Sequence, residues 1–267
     1  ELVITSPWRF PAHAEHRNST MIAHSPHLQH DYASRQDLLG TCLGRAPREW
    51  LSEREAHSLR SIKSSRRRND WLAGRWLAKQ LVQEHLGESR RPLGDIDICS
   101  RDEAGRGARP EIQLNGKTEP WSLSLSHSSL GVIVALSVTP GVRVGVDLVP
   151  VEPFSGSWFR TWFTSEEQLR LRDASVRDVS RTWACKEAIY KAVHSEETFM
   201  PRRFDVDLSN KDRIGCHYSG QGHLESIDVT TCDIDEQVAA LCVMQTATTE
   251  STFRQPILTH PNGSDTR

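Results

Sequence analysis

Asp147 lies in the run Val144-Gly145-Val146-Asp147-Leu148, a carboxylate among aliphatic neighbours. Buried without a partner such a group is costly, so it either serves a turn at a strand end or is held as an oxygen ligand for a hard cation. Downstream, the run 183–191 (WACKEAIYK) spaces Trp183, Glu187 and Lys191 four apart, one stripe of a helix. That stripe is either a core tryptophan beside an ordinary Glu→Lys surface pair or an acid and a cation aimed at one site. In Phe163-Thr164-Ser165-Glu166-Glu167, Thr164 and Glu167 have the spacing of a capping box. The box accounts for Glu167 structurally, and a catalytic role needs other support. Ser126-His127-Ser128 ends a β-type run, where a histidine is either a hydrogen-bonded structural residue or a ligand or base. No G-x-S-x-G elbow makes a hydrolase of it, and no Walker sequence is present. Gly105-Arg106-Gly107 lacks the rest of a dinucleotide fingerprint.

The elements that must position these residues follow from periodicity. Val142–Val149 alternates, with Val142, Val144, Val146 and Leu148 on one face and Arg143, Gly145, Asp147 and Val149 on the other. Trp121–His127 and Leu130–Val138 read as strands before it, and Phe204–Leu208, Ser226–Thr231 and Gln237–Met244 after it. Thr164–Asp173 and Asp178–Val193 read as helices. So does the region from the Ser52/Glu55 capping box through a basic stretch into the apolar pattern of Asp70–Leu86. Residues 101–111 read as loop from their Gly and Pro content. Short strands flanked by helices without βαβ regularity predict an α+β fold, in which the helix-then-strands order occurs twice.

Composition narrows the class. The 267 residues are 37% hydrophobic and 25% charged with a formal charge of −2, a globular composition without the surplus of a generic polyanion binder. No apolar run reaches the ~20 residues of a membrane helix, so no membrane association is expected. Between Arg45 and Arg91 twelve Lys/Arg face six Asp/Glu, either a solvated basic helix face or the site of an anionic ligand. That stretch has no periodic aromatic residues for base stacking, and a nucleic-acid partner is not expected. The six cysteines form no C-x-x-C pair, which argues against zinc-ribbon and thioredoxin chemistry and for reduced thiols in a cytoplasmic protein. His24, His27 and His30 recur every third residue, within a His/Pro/Ser-rich leader that receives no function.

Order and spacing say more than any single motif. The stretches RRRNDWLAGRWLAK (66–79), GARPEI (107–112), SLSHS (124–128), VGVDL (144–148), WFTSEE (162–167) and WACKEAIYK (183–191) together resemble the 4′-phosphopantetheinyl transferases, specifically the large monomeric Sfp type. The resemblance implies a pseudo-dimer of two similar α+β halves with the active site at their interface. It implies transfer of 4′-phosphopantetheine from coenzyme A to a serine of an apo acyl or peptidyl carrier protein, with adenosine 3′,5′-bisphosphate released. Two halves follow from it, an N-terminal one over 46–138 and a C-terminal one with the metal site over 139–245, while composition sets off a poorly ordered leader over 1–45 and a flexible tail over 246–267.

Carried over by position, Asp147 and Glu187 would bind Mg²⁺, with Mn²⁺ as an alternative metal, and Lys186 and Lys191 would pair with the phosphates of coenzyme A. Ser126 and His127 would contact its phosphate region, Arg109 would lie near the adenine, and Arg67, Arg68 or Arg75 would hold the 3′-phosphate. Glu187 or Glu167 would be the base. One departure stands out. Many members have an acidic residue two positions after the aspartate, where this chain has Val149. Water is expected to fill that place and the metal site to be weaker; the alternative is a non-catalytic relative that binds coenzyme A or carrier protein.

Overall fold

In the computed structural model, which describes residues 28–40, 42, 45–101, 107–193, 198–209, 214–218 and 227–246, the alternating run forms strand β7 (Val142–Pro150). Its faces divide as the sequence predicts. Val144, Val146 and Leu148 are buried in one apolar cluster, while Val149 joins a second cluster with residues of the helix behind it. That helix, α6 (Val176–Val193), crosses β7 closely. A Cβ on Gly145 would lie 2.0 Å from the carbonyl oxygen of Ala188, so only glycine admits the helix at this distance.

The fold is α+β and repeats one arrangement. The first half contains β1 (Leu28–Ser34), α1 (Arg35–Gly40), α2 (Glu53–Arg60), α3 (Ser65–His85), β2 (Ile96–Arg101), β3 (Gly107–Leu114), β4 (Lys117–Thr118), β5 (Ser122–His127) and β6 (Gly131–Ser137). The second continues from β7 through α4 (Gly156–Trp162), α5 (Ser165–Arg170) and α6 to β8 (Phe204–Asp207), β9 (Gly215–Tyr218), β10 (Ile227–Ile234) and β11 (Gln237–Gln245). Each half has an antiparallel three-stranded sheet, β1-β6-β5 and β10-β11-β7, against which its long helix packs. The other faces of the two sheets meet in one cluster, where Leu28, Ile133 and Ala135 pack with Val146, Leu148 and Leu241.

The repetition extends to single residues. Both capping boxes predicted from the sequence form, Ser52 with Glu55 on α2 and Thr164 with Glu167 on α5. Each glutamate is buried and salt-bridged to a fully buried lysine on the long helix, Glu55 to Lys79 and Glu167 to Lys186. Each also accepts a backbone N–H from the following hairpin, that of Ile98 at 3.3 Å and that of Val206 at 2.9 Å. The capping hydroxyls donate to Asp97 and Asp205 of those hairpins. The glutamate thus ties helix start, long helix and hairpin together, and the ion pair and hydrogen bonds offset the cost of burying its charge.

The two sheets join along β5 and β7 through side chains. The hydroxyls of Ser122 and Ser124 accept the N–H groups of Val144 and Val146 at 2.9 and 3.0 Å, and Ser126 donates to Asp147. Serine hydroxyls at alternate residues stand where a direct ladder would place carbonyls.

Several expectations are corrected. Residues 28–34, assigned to a poorly ordered leader, form β1 and pair with β6 along their whole length. Residues 107–111, read as loop, belong to β3, whose proline lies in a strand that β2 pairs on one side. The basic stretch after Ser52 is two helices separated at Ser61–Ser64, because Ser64 caps α3 by accepting the N–H of Arg67. His24, His27 and the tail beyond Thr246 lie outside the described residues. Among the described residues, no helix is long and apolar enough to cross a membrane.

Candidate functional site

Strand β7 delivers Asp147 to the seam between the halves, and α6 delivers Glu187 and Lys191 from the face that packs on β7. Asp147 is 4% exposed. Its Oδ1 accepts the hydroxyl of Ser126 at 2.6 Å and Lys191 Nζ at 2.7 Å, and the ammonium also donates to the carbonyl of Val146 at 3.0 Å. Glu187 Oε2 is 3.9 Å from the same ammonium. Burial, reinforced by the charge of Asp147, raises the Glu187 carboxyl to about 7, against Lys191 and a hydrogen bond from Trp183. Two carboxylates that repel each other around a single ammonium form a pocket of negative potential suited to a cation.

Two cavities share this wall. The larger, about 800 Å³, is lined on its basic side by Lys63, Arg67, Arg75, Arg101 and Arg109. The smaller, about 460 Å³, holds Asp147 and Glu187 above an apolar floor that includes Phe154 and Trp183. His127 and Lys191 line both. The floor is an aromatic stack, with Trp158 4.2 Å from Phe154 and 4.5 Å from Trp183, centroid to centroid. The size and lining of the larger cavity suit a phosphorylated nucleotide.

The structure thus brings together Ser126, His127, Asp147, Glu187 and Lys191, with Arg67, Arg75 and Arg109 around the larger cavity. It places the others elsewhere. Lys186 and Glu167 are each 0% exposed and bound to one another, away from both cavities. Lys186 is expected to meet phosphates and Glu167 to act as base; neither lines a cavity, because one residue's step turns Lys186 off the Glu187–Lys191 face. Arg68 is exposed and lines neither cavity. Arg75 is engaged with Ser100 and lies over the Trp71 ring at 4.9 Å. Arg109 spends Nη2 on the carbonyl of Ala192 at 3.0 Å, at the end of α6. Burial first, and Arg143 second, lower its proton affinity to about 10.

Val149 lines the smaller cavity as an apolar residue, and Glu152, beyond Pro150, lines it too. Among the described residues no three His, Cys, Asp or Glu side chains are grouped to hold a metal ion. The donor set is therefore two carboxylates. It fits Mg²⁺, which commonly keeps several waters, better than a metal that demands a full protein cage. Sequence reasoning missed Asp70, Arg35 and the bridging role of Ser122 and Ser124; the alternating serines of SLSLSHS were the signal for the last two.

Residues 143–242 match the family model described as the 4′-phosphopantetheinyl transferase superfamily. No curated protein matches the chain. Similar solved structures include the "ACPS-CoA complex" of Chronobacterium ammoniagenes, at 20% identity and TM-score 0.33, covering 39% of this chain and 97% of that one. Another is a holo-(acyl-carrier-protein) synthase from Bacillus anthracis in complex with CoA (3′,5′-ADP), at 23% identity and TM-score 0.34, covering 41% and 91%. A third, holo-[acyl-carrier-protein] synthase from Thermotoga maritima, has 18% identity and TM-score 0.31, covering 50% and 71%. The segment that carries Asp147, Glu187 and Lys191 thus matches the model of the superfamily that its motifs resemble.

Proposed function

We propose that this chain transfers the 4′-phosphopantetheine group of coenzyme A to a serine hydroxyl of an apo acyl or peptidyl carrier protein, with Mg²⁺, as a monomeric cytoplasmic enzyme of the Sfp type. The observation that carries this reading is the wall shared by the two cavities. On one side a basic cavity is sized for a nucleotide, on the other two carboxylates are paired, and His127 and Lys191 stand between them.

Arginines around the larger cavity suit phosphate because their planar forks bind its oxygens in pairs. Asp147 and Glu187 would hold Mg²⁺, which when bound supplies a Lewis acid for charge on the pyrophosphate. Lys191 and His127 would donate to pyrophosphate oxygens and keep the donor in line with its acceptor. A Glu187 carboxylate oxygen would accept the proton of the carrier serine as the serine oxygen attacks the phosphorus that bears the pantetheine arm. The bond from that phosphorus to the bridging oxygen then breaks, and adenosine 3′,5′-bisphosphate leaves with the bonding electron pair. Glu167 takes no part, since Lys186, Thr164 N–H and Val206 N–H already occupy it.

The test is intact-protein mass spectrometry of an apo acyl carrier protein incubated with this chain, coenzyme A and Mg²⁺, with an EDTA control. A metal-dependent gain of one phosphopantetheine is expected. Coenzyme A binding without any gain across acyl and peptidyl carriers would establish the non-catalytic alternative that Val149 motivates.

A further inference from the structure

His127 ends β5, and the turn that follows is held from several directions. Ser128 N–H donates to Gly131 O at 2.9 Å, and the Ser128 hydroxyl accepts Leu130 N–H at 2.9 Å and Gly131 N–H at 3.2 Å. The same hydroxyl donates to Gln237 of β11, whose amide nitrogen reaches the Tyr32 hydroxyl of β1 at 3.1 Å. Arg35, the first residue of α1, adds a fourth hold. Its backbone N–H donates to Leu130 O at 2.9 Å, its Nε to Ser129 O at 3.0 Å and its Nη2 to Ser128 O at 3.1 Å. Ser128 is 8% exposed, so these bonds satisfy its buried polar groups and tie the turn to α1 and β11.

Arg35 Nη2 also binds Asp70 Oδ1 on α3. Asp70 is 7% exposed, and a carboxylate so buried needs a charged partner. Arg35 supplies that partner on one oxygen. The other oxygen, Oδ2, faces the His127 ring, 3.8 Å from Nε2. That distance is just beyond a hydrogen bond and within ion-pair reach when the ring is protonated. With Nε2 turned to Asp70, Nδ1 is the ring nitrogen left for a ligand, and an imidazolium held this way donates through both nitrogens. The His127 ring is half-exposed; its partial desolvation lowers its proton affinity, and Asp70 is the first group to oppose this.

We propose that Arg35 is a positioning residue of the site: through Asp70 and the carbonyls of Ser128 and Ser129 it fixes the His127 ring at the wall between the two cavities, so that it can meet a phosphate-bearing ligand. The β1–α1 arm is then a working part of the site, although it lies outside residues 143–242 and outside every motif of the resemblance. Only the identity of the ligand rests on the coenzyme A reading. The position of the ring stands apart from it.

The experiment uses the full chain as Arg35→Met, Arg35→Lys and Asp70→Asn variants. Long-range ¹H–¹⁵N spectra report the His127 ring, assigned by its loss in His127→Gln. Arg35→Met and Asp70→Asn are expected to shift the ring nitrogens, and Arg35→Lys to restore them in part. In turnover, KM for coenzyme A is expected to rise about tenfold with kcat changed far less, as when the orienting partner of a working histidine is lost. If Arg35→Met does not fold, Asp70→Asn, which keeps size and shape, makes the same comparison. Ring signals unchanged in the variants that fold would overturn the proposal. A wild-type chain that neither binds nor turns over coenzyme A would instead overturn the transferase reading, and the ring signals would still decide the role of Arg35.

Discussion

Lys191 Nζ lies 2.7 Å from Asp147 Oδ1, so the ammonium of α6 neutralises the strand carboxylate directly. Glu187, one helical turn earlier, is 3.9 Å from the same nitrogen and is left with the weaker share. With both carboxylates ionised, the seam carries two negative charges against one positive, an excess of negative charge that favours a cation.

Asp147→Asn tests that balance. The amide keeps the size of the side chain and can still accept from Ser126, so the thermal midpoint is expected to change little. Phosphopantetheine transfer is expected to fall by more than about a hundredfold, the scale of losing one preorganised charge at a reacting phosphate. Near-normal transfer measured by mass spectrometry would remove Asp147 from the site.

Val149→Glu restores the second acidic place. Val149 is 6% exposed and packs with α6, so the new carboxylate is expected to lower stability by about 1–3 kcal/mol in denaturant titration without Mg²⁺. It is also expected to lower the Mg²⁺ concentration for half-maximal rate. An unchanged requirement would mean that water, or Glu152 across the cavity, already serves there.

Glu55→Gln and Glu167→Gln each break a buried ion pair and strand a buried lysine. Each is expected to cost about 3–5 kcal/mol of unfolding free energy, by a similar amount because the two surroundings match. Turnover per folded Glu167→Gln molecule is expected to stay near normal. A loss of kcat with the fold intact would return Glu167 to the catalytic machinery.

Asp31 gives a pH dependence away from the seam. Burial, opposed by its hydrogen bond from Tyr32 N–H, raises its carboxyl from 3.8 to about 6. The folded state therefore holds the proton more tightly than the unfolded one. Its contribution to stability is fully present below about pH 4 and is lost as pH rises through about 6. Asp31→Asn is expected to raise stability at pH 7.5 by about 1–2 kcal/mol and to leave it unchanged at pH 3.5, read by denaturant titration at both values. Equal effects at the two pH values would refute the assignment.

What the sequence revealed of this molecule was what is decided locally. The alternation of Val142–Val149 and the two capping boxes depend on neighbours a few residues apart, and all three form as read. Strand β1 was hidden because residues 28–34 (LQHDYAS) are polar enough to pass for leader; their pairing with β6, a hundred residues away, makes them a strand. Glu187 and Lys191 were legible as a stripe, but the face taken by Lys186 is set by Glu167 on another helix. Arg35 carries no local signal and Asp70 is only one letter of the 66–79 motif, since their meaning arises where α1, α3 and the turn after β5 converge.

The two Glu–Lys frames also define a correspondence between the halves. Aligning Lys79 with Lys186 sets Gln80 against Glu187 and Glu84 against Lys191, and the strand registers set Asp31 against Asp147. Here the scaffold pairs agree while the positions around them diverge. The demands of the scaffold are thus legible in what the halves share, and the division of labour between them in what they do not.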